Sequence, residues 1–282
     1  MIKTQTLPFV SGRFGRRAML FLAVLGVLFV LGIYNVTDVE RLARDPVLGG
    51  LDYAGYVVCH RITSHSITFA GRQLPLCARC TGMYLGVVLS FVVLGLAGRF
   101  KWAKLPSAKI MGVFVGFVIV MGIDGVNSYS HFFPDLPHLY EPQNWLRLVT
   151  GMGTGLAMGV FIFPALAQTL WRDYQWRPVL TGFREFFWLV FLALIVVLLV
   201  LSNQPLLLYV LGVISALGVV AILTVINSMM LLLVTRRDAR SVSWRQAAVP
   251  LAIGLVLTVA EIAVVSIVRY NLTGTMTGFP GL

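Results

Sequence analysis

The chain alternates long apolar runs with short polar or basic interruptions. Apolar stretches of about 18–25 residues suit helices that cross a bilayer. Seven can be read, at about 17–36, 76–97, 110–128, 144–170, 186–201, 206–234 and 247–268. Between the first two lie shorter pieces. Residues 39–44 read as an amphipathic helix capped by Asp38 and stopped by Pro46 and Gly49-Gly50, and residues 51–60 read as a second short helix. Residues 270–282, rich in Gly and Thr, read as a loose tail. The pattern predicts an all-α polytopic membrane protein of about seven transmembrane helices. Residues 1–282 then form one integral membrane domain, with 38–75 as a loop bearing short helices and 76–170 as the core spans.

Composition agrees. A hydrophobic content of 58%, 12% charged residues and a mean hydropathy of +0.88 exclude a soluble domain. A net charge of +11 would suit a nucleic-acid binder. In a membrane chain it reflects basic cytoplasmic loops instead, so no nucleic-acid partner is expected. With the N-terminus placed in the cytoplasm, the cytoplasmic segments carry 15 of the 22 Lys and Arg residues, and the C-terminus falls outside. The first apolar run has no small-x-small cleavage site directly after it and reads as an anchor. The expected location is the cell membrane, with the lipid bilayer as the first partner.

This topology gathers the chemistry on the extracytoplasmic side, where all three Cys and all four His fall. Cys77 and Cys80 form a C-x-x-C, with Pro75 just upstream, and proline suits the first turn of a helix. Residues three apart share a helix face, so both sulfurs can point at one object. The helix dipole there lowers thiol pKa, which helps a metal-binding thiolate and a redox thiol equally. Cys59-His60 arrives from one loop upstream and His65 is near. Cys59, Cys77 and Cys80 with His60 or His65 make a tetrahedral set suited to zinc. A disulfide from Cys59 to Cys77 or Cys80 is the competing reading and leaves one cysteine over.

The same residues carry a resemblance. Cys59-His60-Arg61, followed by Gly71-Arg72-Gln73-Leu74-Pro75-Leu76-Cys77-Ala78-Arg79-Cys80-Thr81-Gly82-Met83-Tyr84-Leu85-Gly86, resembles the signature of the prokaryotic membrane family called domain of unknown function 2085. Ile123-Asp124-Gly125 and Asn144-Trp145-Leu146-Arg147-Leu148-Val149-Thr150-Gly151 fit it too. The resemblance covers roughly residues 50–165. It implies a multi-pass membrane protein and no particular reaction. Where that family has Gln after the Asp-Gly pair this chain has Asn127, and its following loop is longer.

Ionisable groups inside a span are costly and mark function by default. Asp124 ends the third span, Arg147 starts the fourth, and Glu261 lies in the outer half of the seventh. These three are the candidate catalytic residues. Asp124 is a metal ligand or general base and can pair with Arg147; Arg147 is otherwise an anion clamp. Glycines recur every four residues at Gly82-Gly86, Gly112-Gly116 and Gly151-Gly155-Gly159. Such stripes let membrane helices approach closely and predict that spans two, three and four pack together. The functional reading is a membrane metalloprotein with an outward-facing zinc site, as a metalloenzyme acting on an anionic amphipathic, lipid or small-molecule substrate. Two alternatives stand beside it: a transporter or accessory protein with a structural metal, and a thiol–disulfide redox protein.

Overall fold

The computed structural model describes residues 39–133 and 138–275. Among them six helices are long and apolar enough to cross a membrane. They are α3 (Ala78–Leu96), α4 (Ala108–Ser130), α5 (Asn144–Leu170), α6 (Phe183–Leu201), α7 (Pro205–Val234) and α8 (Trp244–Thr273). The first expected span, 17–36, and the Asp38 cap lie outside the described residues. The other six fall where the apolar runs place them, within about five residues at each end. α8 continues as helix to Thr273, further than the expected loose tail allows.

α3, α5 and α7 pack on one another as an inner trio, and α4 and α8 lean on it from outside. Small residues set the closest contact. A side chain at Gly82 would strike the Leu148 carbonyl, one at Gly86 the Met152 carbonyl, one at Gly151 the Arg79 carbonyl and one at Gly155 the Met83 carbonyl. α3 and α5 therefore meet backbone to backbone. Gly159 lies against Ser90, so the two helices run in the same direction. α7 runs with them, because Gly212 meets Leu74 and Gly218 meets Tyr84. The expectation for Gly112 and Gly116 is overturned: a Cβ at either would meet nothing within 4 Å. A four-residue repeat marks a smooth helix face but not its neighbour, and α4 instead meets α5 where Phe117 covers Gly153.

All three inner helices begin at one end of the bundle, and α4 and α8 finish there. At that end α1 (Val39–Ala43) precedes α2 (Pro46–Val58). The first helix stops before Pro46, as expected, but Pro46 itself starts the next one, and Gly49-Gly50 lie within it. The Asp45 side chain accepts from the Val47 N–H at 2.7 Å, and proline at the first position lacks only an N–H that a helix start leaves unbonded anyway. Gly55 then lets α2 close on the Pro75 carbonyl.

A short 3-10 turn, Thr63–His65, leads into a hairpin of β1 (Ser66–Phe69) and β2 (Arg72–Cys77). Ala70 and Gly71 close it with φ of 48° and 73°, as a type I′ turn requires. Pro75 thus sits in a strand rather than in the first turn of α3. It is tolerated because the register slips between Thr68↔Gln73 and Ser66↔Cys77, leaving a bulge that needs no proline N–H. Asp52 of α2 ties the hairpin down through ion pairs at 3.0 Å to both Arg61 and Arg72. At the opposite end of the bundle β3 (Trp102–Lys104) pairs in parallel with β4 (Gln175–Pro178), and Arg99 meets Glu185.

Candidate metal centre

The hairpin returns the chain over the start of α3 and brings Cys77 back to Cys59. Cys77 occupies the N-cap position of α3 and Cys80 lies in its first turn. The sulfurs of Cys59, Cys77 and Cys80 all lie within 4.8 Å of one another, and all three are free thiols. Cys59 and Cys77 are buried; Cys80 is partly so. The Cys59 sulfur accepts from the backbone N–H groups of Cys77 at 3.3 Å and Arg61 at 3.4 Å. Hydrogen bonds from the Cys77 and Cys80 thiols hold the Cys59 thiol far below the usual range, and the same bond to Cys59 pushes Cys77 up to about 12. The three sulfurs are thus linked by hydrogen bonds centred on Cys59. Three sulfurs at this spacing suit a soft or borderline ion such as zinc.

Arg269, near the end of α8, clamps the peptide beneath this cluster. It lies 4.0 Å over the Tyr56 ring, donates to the Tyr56 carbonyl, and donates to the Cys59 carbonyl at 2.7 Å. The carbonyls left open where α2 ends thereby gain a cationic donor.

His60 touches Cys59 through its side chain but stands outside the three-sulfur group. His65 stacks edge-on to His60 with centroids 5.5 Å apart, and lies as far from Phe132. Both histidines line a cavity of about 450 Å³ with Ile62, Arg79, Ser128 and Phe132. Burial, then the nearby Arg147 guanidinium, lower His65 to about 4, so it is a neutral imidazole at physiological pH.

The ion pair across α3 and α4 is not the expected one. Asp124 is fully buried and is claimed by Arg79, whose Nε lies 3.2 Å from Oδ2 and whose terminal nitrogen also reaches it. Arg79 lies between the two cysteines of Cys77-Ala78-Arg79-Cys80, so the sulfur cluster and the cation that holds Asp124 share one helical turn. The Tyr140 hydroxyl donates to Asp124 at 2.8 Å and Thr150 at 3.4 Å. Both Asp124 oxygens thus accept hydrogen bonds from neighbouring side chains. The Tyr140 hydroxyl is pushed up to about 12, by burial first and then by this bond.

Arg147 is also buried, but its side chain donates to neutral oxygens, Ser128 Oγ at 3.4 Å and Asn144 Oδ1 at 2.8 Å. Glu261 stands apart, on the α7–α8 contact, where Asn227 donates to it at 3.1 Å. Sequence reasoning missed Arg79, Ser128, Tyr140, Thr150 and Arg269. Of these Arg79 and Thr150 carried a signal, Arg79 from its place inside the C-x-x-C and Thr150 from the Asn144–Gly151 block.

Comparison with known proteins places the chain among predicted membrane proteins. The family model described as "Predicted membrane protein (DUF2085)" matches residues 59–161. That segment holds the three cysteines, Asp124 and Arg147. An uncharacterised protein of Methanothermobacter thermautotrophicus is 32% identical over 103 residues, 36% of this chain and 82% of that protein. An uncharacterised protein of Methanocaldococcus jannaschii is 26% identical over 124 residues, 44% of this chain and 73% of that protein. No solved structure matches.

Proposed function

From a chain that belongs to the predicted membrane protein family DUF2085, we propose a membrane metalloprotein that binds anionic amphipathic molecules beside a zinc site. Cys59, Cys77 and Cys80 hold the ion, with His60 the nearest candidate for the fourth position. A zinc ion bound there supplies a rigid tetrahedral brace for the start of α3 and the hairpin. Arg147 carries the anion-binding part of the reading. Its charge is buried without a carboxylate of its own, because Arg79 holds Asp124. A buried charge of this kind calls for a partner of opposite sign, and a guanidinium suits phosphate or carboxylate.

An apolar groove of about 370 Å³ between α4, α5 and α6 adds a place for the tail. Phe117, Val120, Met152, Leu156 and Leu194 line it, and Thr150 at its polar end bonds Asp124. The positive-inside bias puts this end of the bundle on the extracytoplasmic face.

The test uses the full chain in detergent. Metal analysis should find zinc that Cys77→Ser removes. Phosphatidic acid, but not phosphatidylcholine, should raise the melting temperature of the native protein and leave that of Arg147→Gln unmoved. Zinc content unaffected by Cys77→Ser would remove the metal reading, and an equal lipid shift in Arg147→Gln the anion reading. For orientation, a membrane-impermeant thiol reagent should label the stripped, reduced cysteines from outside intact cells. Labelling confined to inside-out vesicles reverses the topology.

A further inference from the structure

We propose that the cavity of about 450 Å³ between the Thr63–His65 turn, the start of α3 and the end of α4 is a phosphate site, in which Arg79, Ser128 and His65 donate to the oxygens of a phosphate group. The group is free phosphate or the headgroup of an anionic lipid. As a headgroup site it rests on the anion-binding reading above.

The pairing with Asp124 does not use all of Arg79. A guanidinium carries five N–H donors, one on Nε and two on each terminal nitrogen. Nε and one donor of Nη2 go to Asp124, and the other donor of Nη2 goes to Ser128 Oγ at 3.1 Å. Both donors of Nη1 are without a hydrogen-bond partner among the described residues. Nη1 lies along the cavity wall, where a Cβ on Gly125 would stand 3.8 Å from it.

Ser128 adds a further donor. Its oxygen accepts from Arg79 at 3.1 Å and from Arg147 Nε at 3.4 Å, which takes both lone pairs. The hydroxyl proton is left over, and Ser128 lines the cavity. His65 makes ring contacts with His60 and Phe132 and no side-chain hydrogen bond among the described residues. As a neutral imidazole it brings one N–H.

No acidic side chain lines this cavity. Of the charges that act on His65, those of Arg147 and Arg79 weigh more than that of Cys59. Unused donors in such a field suit an oxyanion, and a guanidinium edge suits phosphate in particular. Donors from three separate segments meet the three terminal oxygens of a phosphate better than the two of a carboxylate.

The position also suits a lipid. Tyr129 and Phe132 give the cavity an apolar rim, and Tyr129 is 64% exposed. Asp124 stands between the cavity and the apolar groove, bonded to Arg79 on one side and to Thr150 on the other. Val120 of that groove lies one turn before Asp124 on α4.

The experiment follows the melting temperature of the full chain in detergent against rising inorganic phosphate and, separately, phosphatidic acid. Inorganic phosphate raises it if the site takes the free ion, and phosphatidic acid alone does so if the site takes a headgroup. Gly125→Leu, which fills the cavity without striking backbone, should lose the shift. His65→Ala should raise the half-saturating concentration about tenfold, the effect of one hydrogen bond to a charged group. A shift of native size in Gly125→Leu overturns this site. If Arg147→Gln then still abolishes the phosphatidic acid shift, the anion reading stands without it. No shift with either ligand in the native protein ends both. A shift with inorganic phosphate and none with phosphatidic acid keeps this site and ends the lipid reading. Should Gly125→Leu not fold, His65→Ala decides, and an unchanged half-saturating concentration overturns the site.

Discussion

Gly155→Leu should leave almost no folded, monodisperse protein, whereas Gly112→Leu should be recovered at close to the native yield. Both glycines belong to four-residue stripes in apolar helices, and sequence alone does not separate them. A Cβ at Gly155 would overlap the Met83 carbonyl, whose carbon would lie 2.7 Å away, while one at Gly112 meets nothing within 4 Å. Overpacking that side chains can absorb costs about 1–3 kcal/mol. Here the obstacle is backbone, so no rotamer relieves it and α3 and α5 must part. That contact is where small residues replace the hydrophobic effect as the force joining membrane helices. Parting the helices also separates Arg147 on α5 from the turn that holds Cys80. Size-exclusion profiles of the two variants in the same detergent check this, and comparable recovery of both would dissolve the account of the inner trio.

The two stripes show where sequence stops being sufficient. Length and apolarity locate a span, so the six described helices fall where the runs place them. Which face of a span meets protein depends on neighbours far away in sequence, and Gly112 and Gly116 went to the open face. The hairpin was missed for a different reason. Arg72–Cys77 contains a proline directly before a helical run, a pattern that reads as a helix start, and only the register slip opposite Ile67 makes room for that proline in a strand. Pro46 was read only as a stop because Asp45 was not recognised as the cap of the helix that follows. The three cysteines were legible as a group because nothing else in the chain offers a thiol. Their spacing could not show that Arg79 turns towards Asp124. Arg147 was the obvious partner by position, both residues closing their spans at one end. The fold instead gives Arg147 two neutral oxygens and sends the nearer guanidinium, from inside the C-x-x-C, to the carboxylate.

That pairing is open to a decisive measurement. Asp124→Ala should destabilise the protein by about 3–5 kcal/mol, the usual cost of removing one member of a buried ion pair. The loss is large because the carboxylate, fully buried, also accepts from Tyr140 and Thr150, so a cation and two hydroxyls lose an acceptor together. Removing the cation as well should recover part of it. Arg79→Leu combined with Asp124→Ala should be less damaging than the sum of the two, with a coupling of about 0.5–3 kcal/mol. Arg147→Leu with Asp124→Ala should come closer to additive, because Arg147 bonds Ser128 and Asn144 and not the carboxylate. Chemical denaturation in a single detergent gives all five values. Arg79 sits between Cys77 and Cys80, so freeing it also loosens the turn that sets the sulfur spacing. Asp124→Ala should therefore shed zinc faster to a chelator than the native protein does, although no atom of Asp124 belongs to the sulfur cluster. A coupling found with Arg147 and absent with Arg79 would reverse the assignment and return Asp124 to the pairing that position alone suggests.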